Sequence, residues 1–193
     1  MEDLFIDKIR DFLFRPFCAY REVKEEDTRI ITRYYLLLLT VNAILTTLIS
    51  FFGFRALGIL QQLLHVSHPI ITFFVVFICG LILAPLFGVW LSLWIYLVGG
   101  ETDIFQSIKI VMYSATPILL FAWIPVISIF FYFWSMILAI FGVHETFGID
   151  GERASFAVII AIIIPLIVLT LLAFLFFREG FLMILSLGRI GVV

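Results

Sequence analysis

Charge is scarce in this chain: Lys, Arg, Asp and Glu make up 13% of its residues, against 64% that are hydrophobic. A water-soluble domain holds apolar and polar residues in near balance, so the composition assigns an integral membrane protein. A basic excess is missing as well. The formal net charge of -2 offers no cationic surface to displace counterions from phosphates, which excludes nucleic acid as a partner. There are two cysteines, Cys18 in the polar N-terminal region and Cys79 deep in an apolar run. They are not expected to meet, so no disulfide framework follows and the redox compartment stays open. The first residues mix acids, bases and isolated apolar positions, without the basic start and continuous apolar stretch of a cleavable signal. The first span is therefore expected to act as an uncleaved anchor.

Catalytic signatures are equally sparse. No Gly-x-Ser-x-Gly elbow, His-Glu-x-x-His pair, Gly-rich phosphate loop or Cys-x-x-Cys pair occurs, so the chain is read as non-enzymatic, with no cofactor and no metal. His144, Glu145 and Asp150 are three mixed donors in one loop without a second pair to complete a shell. His65 and His68, before Pro69, read as interfacial polar residues. Mid-span positions hold no Asp, Glu or Arg, and coupled ion transport needs such groups inside the membrane. Inverted repeats are not visible, and five spans do not divide into halves. Charged cargo is thereby excluded; a passive path for something neutral is left open.

What is present begins with an amphipathic helix. Phe5, Ile9, Phe12 and Leu13 recur at spacings of three and four, with Asp3, Asp7, Arg10 and Asp11 opposite. The pattern predicts an interfacial helix from Leu4 to Leu13. Pro16 ends it or starts a second one, because proline suits a first helical turn but not an interior. Phe17, Tyr20 and Val23 give a second apolar edge before the charged run 24–27, so both pieces should float at the membrane interface or pack under the bundle. About 20 apolar residues cross the hydrocarbon core. Tyr34 to Phe52, Ile70 to Val98, Ile104 to Phe121, Val126 to Phe141 and Ser155 to Phe177 qualify. The expected fold is an all-α five-transmembrane-helix bundle over residues 34–177, preceded by the amphipathic region 1–33 and followed by a short tail, 178–193. Between spans three and four, around Pro125, a re-entrant hairpin or one broken helix is the alternative.

Nine basic residues fall on the N-terminal side of such a bundle and three, Arg55, Arg178 and Arg189, on the other. The N-terminus is therefore expected in the cytoplasm and the C-terminus outside. Gly80, Ala84, Gly88 and Ser92 form a ridge of small residues along span two, where a neighbour can approach closely, within the chain or in a homo-oligomer. Asn42, Thr46 and Ser50 make a similar face on span one. Pro85, Pro117 and Pro165 fall inside spans, and kinks there require neighbours that satisfy the freed carbonyls. Span three differs from the rest. Gln106, Lys109, Tyr113 and Thr116 share one face, and a polar stripe turns away from lipid tails, into the bundle or a wet crevice. Lys109 either snorkels to the headgroups, pairs with Glu101, Asp103 or Glu145, or serves a functional site. Two loops, holding Glu101 and Asp103 and then His144, Glu145 and Asp150, make the candidate cytoplasmic partner surface.

The order of these landmarks carries a resemblance. Phe14-Arg-Pro16, the acidic loop before span three, Tyr113-Ser-Ala-Thr-Pro117, and Trp134 followed by Gly142-Val-His-Glu145-Thr-Phe-Gly148-Ile-Asp150 resemble the Yip domain family, the Ypt-interacting membrane proteins. Pro16, Tyr113, Pro117, Gly142, Glu145 and Gly148 are the matching positions. The resemblance implies a five-span bundle with a cytoplasmic N-terminus and a non-enzymatic adaptor or scaffold in membrane organisation or trafficking-like recruitment. It also implies membrane lipids as surroundings and a GTPase as partner by analogy with eukaryotic members. The N-terminal region here is short, more similar to archaeal and bacterial members, which implies the cell membrane of a prokaryote; the alternative is an endoplasmic reticulum or Golgi membrane. A competing reading is a small permease or channel lined by the span-three stripe.

Overall fold

A computed structural model describes residues 2–24, 26–51, 68–124 and 127–190, with side chains described for 6–24, 26–51, 68–124 and 127–175. Arg55, His65, Pro125 and Val126 lie outside the described residues, as do the side chains of Phe5, Arg178 and Arg189. Among the described residues there are eight helices and no strand: α1 Glu2–Phe14, α2 Pro16–Val23, α3 Thr28–Phe51, α4 Pro69–Leu97, α5 Ile104–Ser114, α6 Thr116–Phe121, α7 Ser128–Phe147 and α8 Gly151–Ile190. Five segments are long and apolar enough to cross a membrane: α3, α4, α5 with α6, α7, and α8 to Leu175. The protein is an all-α integral membrane protein.

The helix boundaries follow local backbone chemistry. Pro16 and Pro69 sit in the first turns of α2 and α4, where a missing N–H costs nothing. Asp103 caps α5, its carboxylate accepting the Phe105 N–H at 2.8 Å, which satisfies one of the free donors of a helix start. Gly148 ends α7 with φ +64°, a left-handed conformation that favours glycine. Three span limits differ from the apolar runs. The helix of span one begins at Thr28 rather than Tyr34, because the Asp27 carboxylate accepts the Arg29 N–H at 3.1 Å and starts the helix in its polar region. The helix of span four runs to Phe147 rather than Phe141, and that of span five starts at Gly151 rather than Ser155. Hydropathy marks where a helix meets lipid, whereas caps decide where it ends.

Span three is broken at Ala115, as Pro117 foreshadows. Pro117 has no N–H for the Tyr113 carbonyl, and the Thr116 hydroxyl donates to that carbonyl instead, at 2.7 Å. Ser135 of α7 donates to the Ser114 carbonyl at 2.5 Å. At the far end of α6, Asn42 of α3 donates to the Leu119 carbonyl at 2.9 Å. These three carbonyls thus each have a side-chain donor, the condition for irregular backbone at membrane depth. Replacing Thr116 with valine keeps the shape and removes the donor for Tyr113. A loss of about 1–2 kcal/mol is expected in detergent unfolding, with little loss for Thr116→Ser.

The chain divides into two units, Met1–Val158 and Ile159–Val193. In the first, the broken helix α5–α6 is central, packed on α3, α4 and α7. The small-residue ridge of α4 is occupied from within this unit. Gly80 lies against Leu39, its carbonyl accepting the Tyr35 hydroxyl at 2.8 Å, and Gly88 meets the backbone of Ile108. At these two positions the ridge is packed from within the chain, one of the two placements its pattern allows. The first two turns of α8 belong here too, with Ala154, Ala157 and Val158 fully buried. The second unit is the rest of α8, an apolar helix with Pro165 inside and Leu166, Leu169, Leu172 and Phe174 exposed.

Candidate functional site

The site is built where α1 and α2 meet the bundle. On α2, Phe17, Tyr20 and Arg21 share a face by their spacing, and each finds a partner on α7. Phe17 packs on Phe141 with ring centroids 4.2 Å apart. Tyr20 lies over Gly142, where an added Cβ would stand 2.8 Å from its ring. Arg21 Nε donates to Glu145 at 2.8 Å. Gly142 is thus a close-approach position, and Glu145, 12% exposed, is the far end of a clasp. Arg21 itself is 74% exposed, so solvent screens the pair, and it fixes register more than it stabilises. Its bond to Glu145 holds the guanidinium above its ordinary value, and burial pushes the Tyr20 phenol well above its own, so it stays neutral.

On α1, Phe12 is fully buried, stacked on Tyr113 at 4.4 Å and edge-on to Tyr20 at 5.1 Å. Burying side chains such as Phe12 and Val23 from water stabilises by about 1.5–3 kcal/mol each. The amphipathic helices therefore pack under the bundle, the second of the two placements their pattern allows. Asp7 and Arg10 face outward, as expected.

The polar stripe of span three reads the connection between α2 and α3. Gln106 Nε2 donates to the Lys24 carbonyl at 3.4 Å, and Lys109 Nζ to the Glu26 carbonyl at 2.7 Å. The Tyr113 hydroxyl donates to one oxygen of the Glu26 carboxylate, and Lys8 of α1 donates to the other. Since the Thr116 proton goes to the Tyr113 carbonyl, the Tyr34 hydroxyl is the donor in its 3.1 Å bond to Thr116. All four stripe residues are brought together and turned into the bundle.

Lys109 departs from the carboxylate pairing expected of it: its partner is the Glu26 carbonyl, at the polar end of the span, and not Glu101, Asp103 or Glu145. A carbonyl a few residues before a span leaves no mark in hydropathy. Glu26, Lys8 and Arg21 were not singled out by the sequence. The one signal available is the acidic run 25–27 set before the first span, on the same side of the bundle as Lys109.

The remaining candidate residues fall around this centre. Gly100 and Gly99 bring the loop before α5 against the turn before α8. An added Cβ at Gly100 would stand 3.3 Å from Ile149 Cγ2, and one at Gly99 3.8 Å from the Arg153 guanidinium. Glu101 and Asp150 are exposed there, as is Asp103, whose carboxylate is occupied in capping α5. His144 Nδ1 lies 2.6 Å from the Ile149 carbonyl; a carbonyl only accepts, so that nitrogen carries the proton. With Glu145 held by Arg21 and His144 by Ile149, these side chains serve the turn. No cluster of three metal-ligating side chains occurs among the described residues.

No curated protein and no solved structure matches the chain. A family model, that of the Yip1 domain, matches residues 10–174. The match takes in the α2 clasp, the Glu26 centre, the kink at Pro117 and the Gly142 to Gly148 turn. The chain belongs to the Yip1 domain family of integral membrane proteins.

Proposed function

We propose that this protein is a non-enzymatic membrane adaptor whose partner surface is the paired loops around Glu101 and Asp150. The observation that carries this reading is the meeting of those two loops, distant in sequence, through Gly99, Gly100, Ile149 and Arg153. Their outward carboxylates are left exposed, whereas Lys109, Tyr113 and Thr116 of span three bond within the chain. His144 holds the Ile149 carbonyl of the second loop. The nine basic residues on the N-terminal side support a cytoplasmic placement of the surface and an outer C-terminus. Membership of the Yip1 family supports a GTPase-type partner by analogy. The setting proposed is a prokaryotic cell membrane, with an endomembrane as the alternative.

Photo-crosslinkers placed at Glu101 and Asp150 in native membranes should capture one defined protein, and the double charge reversal Glu101→Lys, Asp150→Lys should abolish capture. Recovery of lipid and self contacts alone would overturn the adaptor reading.

The permease reading draws less support, since Tyr113 and Thr116 are 1% and 0% exposed and both are hydrogen-bonded. In a background with Cys18 and Cys79 replaced, Thr116→Cys should stay unreactive towards a water-soluble thiol reagent from either side. Labelling would restore the permease.

A further inference from the structure

Between α2, α5 and α7 lies a crevice lined by Tyr20, Lys24, Gln106, Lys109, Tyr113 and Thr146. Its volume is about 10 Å³, which admits one water-sized atom. Tyr20 is 2% exposed and its hydroxyl has no hydrogen-bond partner, an unfavourable state for a buried polar group. Cations also gather there. Lys8 pairs with Glu26 and Arg21 with Glu145. Lys109 Nζ meets a neutral carbonyl, and Lys24 forms no ion pair among the described residues. The Lys24 and Lys109 ammonium groups line one opening. Gln106 and Lys109 belong to the first two turns of α5 and Thr146 to the last turn of α7, so the crevice sits at the ends of two spans, at headgroup depth.

We propose that this crevice binds the phosphoryl group of an anionic phospholipid. One phosphoryl oxygen enters the crevice, where Gln106, Thr146 and Tyr20 can donate hydrogen bonds. The ester-linked remainder stays at the mouth, beside the exposed Lys24. A phosphoryl group suits the site because its oxygens only accept, and several donors and two cations converge on one atom-sized space. An acidic peptide on the same surface would meet Glu22 and Glu145, and it would not reach headgroup depth between two spans. The site needs no protein partner, so it stands apart from the adaptor reading.

The test uses the full chain in phosphatidylcholine nanodiscs, with or without a minor fraction of phosphatidylglycerol, reading retained lipid by native mass spectrometry and the thermal midpoint. Phosphatidylglycerol should be retained and should raise the midpoint of the wild type. Lys24→Gln should weaken retention about fivefold, the effect of one lysine near anionic lipid. Tyr20→Phe removes no internal hydrogen bond; it should match the wild type in pure phosphatidylcholine and lose part of the phosphatidylglycerol-dependent rise. Arg29→Gln, an exposed cation away from the crevice, should change neither reading. Wild-type retention in both crevice variants would overturn the site. So would an equal loss in Arg29→Gln, which means general surface attraction. An equal rise from inorganic phosphate alone would overturn the lipid assignment in favour of a soluble anion.

Discussion

Replacing Glu26 with alanine is expected to lower stability by about 2–3 kcal/mol and to release the N-terminal helices from the bundle. The carboxylate holds Lys8 on one oxygen and the Tyr113 hydroxyl on the other. The Lys8 and Glu26 side chains are each 17% exposed, too little for solvent to replace what is lost. Removing one partner of a largely buried pair costs about 3–5 kcal/mol, and the residual exposure brings the figure down. Glu26→Gln retains an acceptor for Tyr113 and should cost about half as much. Glu22→Ala, exposed and one turn away, should cost nothing measurable. Chemical unfolding in mild detergent reads the stability, and trypsin cleavage at Arg15 and Arg21 reads the release. A Glu26→Ala protein as stable and as resistant as Glu22→Ala would show that the centre holds nothing.

The second large effect lies on the α4 ridge. At Gly88 an added Cβ would stand 2.6 Å from both the Cα and Cγ1 of Ile108 and 3.0 Å from its nitrogen. Backbone atoms cannot rotate away, so Gly88→Ala forces α4 and α5 apart along their contact. The expected loss is about 3 kcal/mol, the upper end for overpacking, with a lower yield of folded protein in the membrane. Gly80 provides the contrast. Its added Cβ would meet the end of the Leu39 side chain, which can change rotamer, and Gly80→Ala should cost under about 1 kcal/mol. Thermal midpoints of the two variants in one detergent decide the matter. Equal losses would mean that the ridge is loosely packed or faces lipid.

Much of this was legible in the sequence where the governing physics is local. Hydropathy located five spans because crossing hydrocarbon demands an unbroken apolar length. Pro16 and Pro117 acted where their missing N–H required. The small-residue ridge identified the α4 packing face, although which helices fill it had to come from the fold. The span-three stripe reads as turned from lipid, into the bundle or a wet crevice, since lipid offers its groups no partner; its Tyr113 and Thr116 are buried.

Pairing across sequence was not legible. Lys109 had three plausible carboxylates by side of the membrane and took the Glu26 carbonyl instead, because α2 folds back onto α7 and carries residue 26 over the stripe. The Arg21–Glu145 clasp joins residues 124 apart. It depends on the register of two helices that a single sequence leaves free. The run 24–27 looked like the solvated back of an amphipathic helix, the ordinary role of such charges, and concealed the one acid that holds the structure's centre.

A double-mutant cycle on Glu26→Gln and Tyr113→Phe, with unfolding free energies measured in lipid nanodiscs, tests most directly whether the span-three stripe fastens the N-terminal region to the bundle. Direct contact predicts a coupling of about 1 kcal/mol or more between the two substitutions. Strict additivity, with no coupling beyond experimental scatter, would contradict it and return the N-terminal helices to the membrane surface as independent elements.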